Sequence, residues 1–394
     1  MVAFGAAIRG DRFLILPGGK WMQDITISTK RSVNRRSLLK GGLLAGGAAL
    51  GAGLLSPASP AFADEGGRDR DRDLDRGDIA ILRFLAAAEI IETDLWDQYA
   101  ELGGVTDGAQ NTYQQALQFL DGDGSQYITS NTLDEASHAS FLNAYLESKG
   151  AEPVNFDNFR NLKGSTAMGS KGIGRLTNLL HLTVDTSWYI RYRSATSPDF
   201  GATFPQAISI VNRPGIPATD ADFEGDNHIQ AIADTAAFHF GTVEQGGTSL
   251  YASLAQKVSN PEVLLIVLGI GADEVAHFLE WVDFAGNSVQ PGDGGAFSFA
   301  GSTMPVTDNG LTFPDFTQKG PLFQPNLIFP VPAEFISPRL PKCAAIRPIT
   351  DRFFGARTAA KALTDMNLFM GQPKAFLAEL DRLAAEADAA RRNN

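Results

Sequence analysis

Two short segments constrain this chain more than any other feature: Glu135-Ala136-Ser137-His138 and Glu274-Val275-Ala276-His277. Each lies in a stretch whose apolar residues recur at helical spacing. At i and i+3 a carboxylate and an imidazole leave one helix face about a turn apart, so both can reach a metal in a bundle core. With 15 Glu and 5 His in 394 residues, chance supplies about 0.2 such pairs under this bundle reading, so two of them point to a shared site. A four-helix, two-metal site needs one further glutamate from each of the two other helices.

The apolar spacing predicts where those helices lie. A first runs from Asp78 to Leu102, ended by Gly103-Gly104, and a second from near Ser125 or Ser130 to Lys149, closed by Gly150. The aromatic-rich stretch from Leu176 to Tyr192 is a further candidate, followed by a Pro/Gly-broken insertion to about Asp226. Another spans His228 to Val258, and a last opens at Asn260-Pro261, a cap followed by proline at the first helical position, and stops at Gly286. Ten of the twenty prolines fall between Pro291 and Pro348, which excludes a regular helix there and predicts an irregular wrap. Ala375 to Arg391 reads as an amphipathic helix. No strand alternates over a useful length.

The first helix offers Glu89 and Glu92, both flanked by apolar residues, and burying either is costly unless something positive waits inside. The helix from His228 offers Glu244. The chain order is then Glu, Glu-x-x-His, Glu, Glu-x-x-His.

With that order, the chain resembles the ferritin-like superfamily, and within it exported proteins similar to the desiccation-related ferritin-like proteins, over about Asp78 to Gly286. In that family an aromatic follows the first ligand by seven residues. Glu89 to Trp96, Glu92 to Tyr99 and Glu244 to Tyr251 all fit. The resemblance implies an all-α, ferritin-like four-helix bundle with an extra helix, an insertion and an irregular C-terminal extension. It also implies two iron or manganese ions held by Glu89, Glu135, His138, Glu244, Glu274 and His277. In that assignment Glu135 and Glu274 bridge, each histidine caps one ion, and Glu89, preferred to Glu92, and Glu244 are terminal ligands. Four carboxylates against two divalent ions leave the filled site near neutral, and oxygen and imidazole donors without thiolate suit iron or manganese.

Composition removes other classes. The chain carries −12 overall and residues 1–63 carry +6, so the remainder carries −18, a balance that repels phosphate and argues against nucleic-acid binding. The single cysteine, Cys343, excludes internal disulfides and thiolate-held clusters. The basic start resembles a twin-arginine export signal: Asn34-Arg35-Arg36-Ser37-Leu38-Leu39-Lys40, a Gly/Ala/Leu stretch from Gly41 to Leu55, then Ala61-Phe62-Ala63 as cleavage site, with Met22 a more ordinary start. That stretch is short for a membrane anchor. The expected organisation is a signal at 1–63, a charged linker at 64–77, the bundle at 78–286 and the wrap with its C-terminal helix at 287–394. The mature chain should have no membrane span and lie in the periplasm or cell envelope.

Other motifs have plainer readings. Thr132-Leu133-Asp134-Glu135 also fits a capping box, and His181 with Asp185 could form a rival ligand pair. His228 and His239 read as structural groups or as neighbours of the site, and Asp121-Gly122-Asp123-Gly124-Ser125 as a polar turn that lacks the glycine and glutamate of a calcium loop. Leu264 to Ile270 reads as buried helix. The expected activity is redox chemistry with dioxygen or peroxide, as partner molecules, in envelope or desiccation stress; the alternative is a non-enzymatic metal-binding or structural stress protein. Assembly into a homo-oligomer is left open by the sequence.

Overall fold

The computed structural model describes residues 74–185, 209–224, 226–288, 337, 339–341 and 355–393. The expected signal, most of the linker and nearly all of the Pro-rich wrap lie outside them. Among the described residues are seven α-helices: α1 (Arg76–Gly103), α2 (Thr112–Leu120), α3 (Gly124–Ser148), α4 (Asp226–Ala255), α5 (Pro261–Gly286), α6 (Ala356–Asp365) and α7 (Lys374–Ala389). None is long and apolar enough to cross a membrane.

Local chemistry sets the helix ends. Asp75 caps α1 by accepting from the Asp78 N–H at 2.7 Å, and Asn111 with Gln114 closes a reciprocal capping box on α2. Asn260 caps α5 ahead of Pro261. The Asp78 carboxylate then accepts from the Ser259 and Asn260 N–H groups at 2.9 and 2.8 Å, pinning the start of α1 to the start of α5.

The bundle consists of two helix pairs, α1 along α3 and α4 along α5. Every residue of α4 from 229 to 251 is buried, so this helix is covered on all sides. Trp96 stacks on both Phe240 and Trp281, which meet each other at a tilt, with ring centroids 4.6–5.3 Å apart, and the three rings fill the core. α7 packs on α1 through Phe376, Leu380 and Leu383, and Asp388 near its end accepts the Gly355, Ala356 and Arg357 N–H groups, capping α6 from a distance.

The expected helix from Leu176 to Tyr192 is not there over its described part. Residues 182–185 form strand β3 (Leu182–Asp185), antiparallel to β4 (Ser209–Arg213), with Leu182 opposite Arg213 and Val184 opposite Ile210. Leu182 and Val184 are buried one residue apart, the period of a strand; residues 186–192 lie outside the description. A second antiparallel pair joins β1 (Leu162–Lys163) to β2 (Gly174–Arg175). Asp94 of α1 ties this connection down by accepting from the Leu176 and Thr177 N–H groups at 3.0 and 2.9 Å and pairing with Arg160 at 2.6 Å. The extra helices are therefore α2, α6 and α7, two of which the spacing did not suggest.

Candidate metal centre

Each bundle helix delivers its share to one place. Glu89 comes from α1, Glu135 and His138 from α3, Glu244 from α4, and Glu274 and His277 from α5; all six are buried. Two groups of them could hold a metal ion: Glu89, Glu135, His138 and Glu274, and Glu135, Glu244, Glu274 and His277. The groups share Glu135 and Glu274.

The two imidazoles have matching surroundings. His138 Nδ1 lies 3.2 Å from Glu135 and 3.3 Å from Glu89, while its Nε2 lies 3.2 Å from Asp273. His277 Nδ1 lies 3.1 Å from Glu135 and 3.3 Å from Glu244, while its Nε2 lies 3.3 Å from Asp134. Each histidine thus turns one nitrogen to the glutamates and the other to the aspartate of the opposite helix. The carboxylates are crossed in the same way: the Trp96 indole of α1 donates to Glu244 at 3.1 Å, and the Tyr251 hydroxyl of α4 donates to Glu89. The aromatic seven residues after each of these glutamates therefore serves the glutamate of the other helix. Asn131 donates to Glu135 at 2.8 Å and to Glu244 at 3.2 Å, and is itself held by the Trp281 indole at 2.8 Å.

Sequence reasoning missed Asp134, Asp273 and Asn131. A signal for the first two was present, because both motifs read Asp-Glu-x-x-His. Thr132 is no cap, since Glu135 sits in mid-helix and the Thr132 hydroxyl donates to the Ile128 carbonyl within α3. Glu92 is buried one turn beyond Glu89 but belongs to neither group; it lines a small cavity with Ala88, Thr242 and Gly247. His181 is exposed, with Nδ1 3.0 Å from Asn212, and belongs to no such group among the described residues. His239 is fully buried against the Tyr99 hydroxyl at 2.8 Å, and burial lowers it to about 3, so it is neutral. Asp121 and Asp123 flank the turn between α2 and α3 and likewise belong to no such group. Leu264 to Ile270 is helical, but Leu265 and Leu268 are exposed rather than buried.

The site gathers negative charge. Burial, then Glu244 and Glu89, push Glu135 up to about 8, and burial with the neighbouring glutamates raises Glu274 and Glu92 well above the carboxylate range. Burial works against protonated His138, yet Glu135 and Glu89 outweigh it and hold the ring up at about 10; His277 is raised further, chiefly by Glu244. Glu89 Oε2, Glu244 Oε2 and His277 Nδ1 are buried in ion-pair contact but without a well-aligned hydrogen bond, and both Glu274 oxygens are buried without a hydrogen bond. A Cβ at Gly247 would collide with the Glu274 carboxylate, so glycine makes the room for that side chain. Carboxylate oxygens and imidazole nitrogens converging on one place, with no thiolate, fit the binding of metal ions.

This arrangement defines a four-helix carboxylate and histidine bundle able to hold metal. A model of the ferritin-like domain matches residues 77–281, over half of the chain, and the protein belongs to that family. Neither the curated proteins nor the solved structures contain a match to it.

Proposed function

We propose that the chain is an exported two-metal carboxylate protein, of iron or manganese, that carries out redox chemistry with dioxygen or peroxide and protects the cell envelope under oxidative or drying stress. The observation that carries this reading is that the two metal-holding groups overlap in Glu135 and Glu274, the pattern expected of two bridging carboxylates. Glu89 with His138, and Glu244 with His277, would complete the two ends.

The bound pair would supply one-electron steps and positive charge for an oxygen-containing substrate. The chain's own residues prepare the place. Tyr251 and Trp96 hold the outer carboxylates of Glu89 and Glu244, and Asn131 holds Glu135. Asp273 and Asp134 face the Nε2 atoms of His138 and His277, which keeps Nδ1 as the inward nitrogen. Those two aspartates are 42% and 46% exposed while the histidines are 10% exposed, so at the wall between α3 and α5 only the aspartates stand between the histidines and the surface. Glu92, buried one turn from Glu89, has its carboxyl pushed well above the usual carboxylate range by burial and then by the neighbouring glutamates.

Export rests on Arg35-Arg36 and Ala61-Phe62-Ala63, and the stress role on the similarity to desiccation-related proteins. Iron-loaded protein should show near-ultraviolet charge-transfer absorption that changes on adding peroxide. Metal retained with no response to peroxide or dioxygen would instead favour a non-enzymatic role. Replacing Arg35 and Arg36 with Lys should leave unprocessed precursor inside the cell, and normal export of that variant would remove the localisation.

A further inference from the structure

Beside the metal centre, α4 and α5 do not close completely. They leave a pocket of about 180 Å³, open to the surface on one side and walled by Thr248, Tyr251 and Ala252 of α4 and by Val267, Gly271 and Val275 of α5. Its cause lies in side-chain size. A Cβ at Gly271 would stand 2.7 Å from the Tyr251 Cβ, so the helices touch there through glycine, while Ala252 and Ala272 leave the flanking space unfilled. Leu268 and Ala272, both exposed, form the rim. The apolar walls below that rim have no side chain packed against them, so an occupant would add contacts there.

The lining carries no charge and one uncommitted polar group. The Tyr251 hydroxyl is already donated to Glu89. Thr93, Thr129, Thr132, Thr235 and Thr242 each bond the carbonyl one turn back in their helix, but the Thr248 hydroxyl does not: it is buried, 4% exposed, and has no hydrogen-bond partner. A buried hydroxyl without a partner is costly, and a ligand atom can satisfy it.

We propose that this cavity binds a small neutral molecule of about the bulk of one aromatic ring, with one hydroxyl or carbonyl oxygen on Thr248 and its apolar remainder against Tyr251, Val267 and Val275. The size follows from volume, since an apolar space of about 150 Å³ accommodates one benzene ring, and the open side of the pocket gives such a molecule its way in. Absence of charge follows from the walls, which would leave an ion unpaired. The position adds a consequence for the centre: Thr248 lies one turn after Glu244, Val275 adjoins Glu274, and Tyr251 touches both the ligand and the Glu89 carboxylate. Binding itself does not depend on the metal reading, because no wall residue belongs to either metal-holding group.

Phenol and benzene are suitable probes, titrated into the full chain and followed by nuclear Overhauser contacts to methyl-labelled valines. The expected result is saturable phenol binding with contacts to Val267 and Val275, roughly fivefold tighter than benzene for one net hydrogen bond. Thr248→Val, which keeps the shape, should bring phenol to benzene's level. Ala252→Leu should abolish binding of both, with circular dichroism confirming that it folds. No saturable binding, binding that survives Ala252→Leu, or a phenol preference that survives Thr248→Val would overturn the proposal. Elemental analysis of the same samples reports the metal centre separately, so either idea can fail while the other stands.

Discussion

Asp134 and His277 sit on different helices, yet the aspartate Oδ2 lies 3.3 Å from the histidine Nε2. Asp273 stands in the same relation to His138 at 3.2 Å. The residue before each glutamate of one motif therefore orients the histidine of the other, and the two Asp-Glu-x-x-His segments form one crossed unit.

Asp273→Asn should weaken metal binding at the His138 end, because an amide stabilises the imidazole less than a carboxylate does. Losing such an outer partner typically costs about 10–100-fold in affinity. Competition against a chelator measures it. An unchanged affinity in both Asp273→Asn and Asp134→Asn would remove the crossed arrangement from the account.

Gly247→Ala reverses an ordinary expectation. In a helix interior, alanine normally gains roughly 0.5–1 kcal/mol over glycine. Here the new Cβ meets the Glu274 carboxylate, so the variant should bind less metal and gain no stability. A variant with raised Tm and full metal content would show that Glu274 does not need this space.

Metal uptake near pH 7 should release protons. Glu135 is raised to about 8 and His138 to about 10, whereas metal ligation requires both deprotonated. Calorimetric enthalpies measured in buffers of different ionisation enthalpy should therefore diverge, and identical enthalpies would contradict the proton count. In the metal-free protein the sign is fixed by the raised values. The Glu135 contribution is complete below the unfolded value of 4.5 and is lost as pH rises through about 8. The His138 contribution is complete below 6.5 and is lost as pH rises through about 10. Metal-free protein should lose Tm from pH 5 to 9, and bound metal should flatten that slope.

Glu89→Gln should lower metal content while Glu92→Gln leaves it nearly unchanged, because Glu89 belongs to one of the metal-holding groups and Glu92 to neither. The reverse outcome would move the α1 ligand by one turn and leave the bundle intact.

The bundle was legible because its signals are local. Asn260-Pro261 marks the start of α5, Gly103-Gly104 marks the end of α1, and each Glu-x-x-His pair lies on one face by spacing alone. What was not legible depends on distant partners. α6 takes its cap from Asp388, 32 residues beyond Ala356, so nothing near residue 356 announces it. Asp94 is a buried charge whose partners Leu176 and Thr177 lie 82 and 83 residues away, and they draw residues 176–185 into an irregular segment and a strand where aromatic spacing suggested a helix. Within the site, Asn131 has no motif of its own; its role exists only because Trp281 holds it between Glu135 and Glu244.

The central claim is that two metal ions share Glu135 and Glu274 inside the bundle. Elemental analysis of the protein recovered from its native compartment tests this most directly, beside Glu135→Ala and Glu274→Ala. The account predicts two iron or manganese ions per chain in the parent and at most one in each variant, because removing a bridge leaves the two charges unscreened from each other. Two ions per chain retained in both variants, or none in the parent, would contradict it.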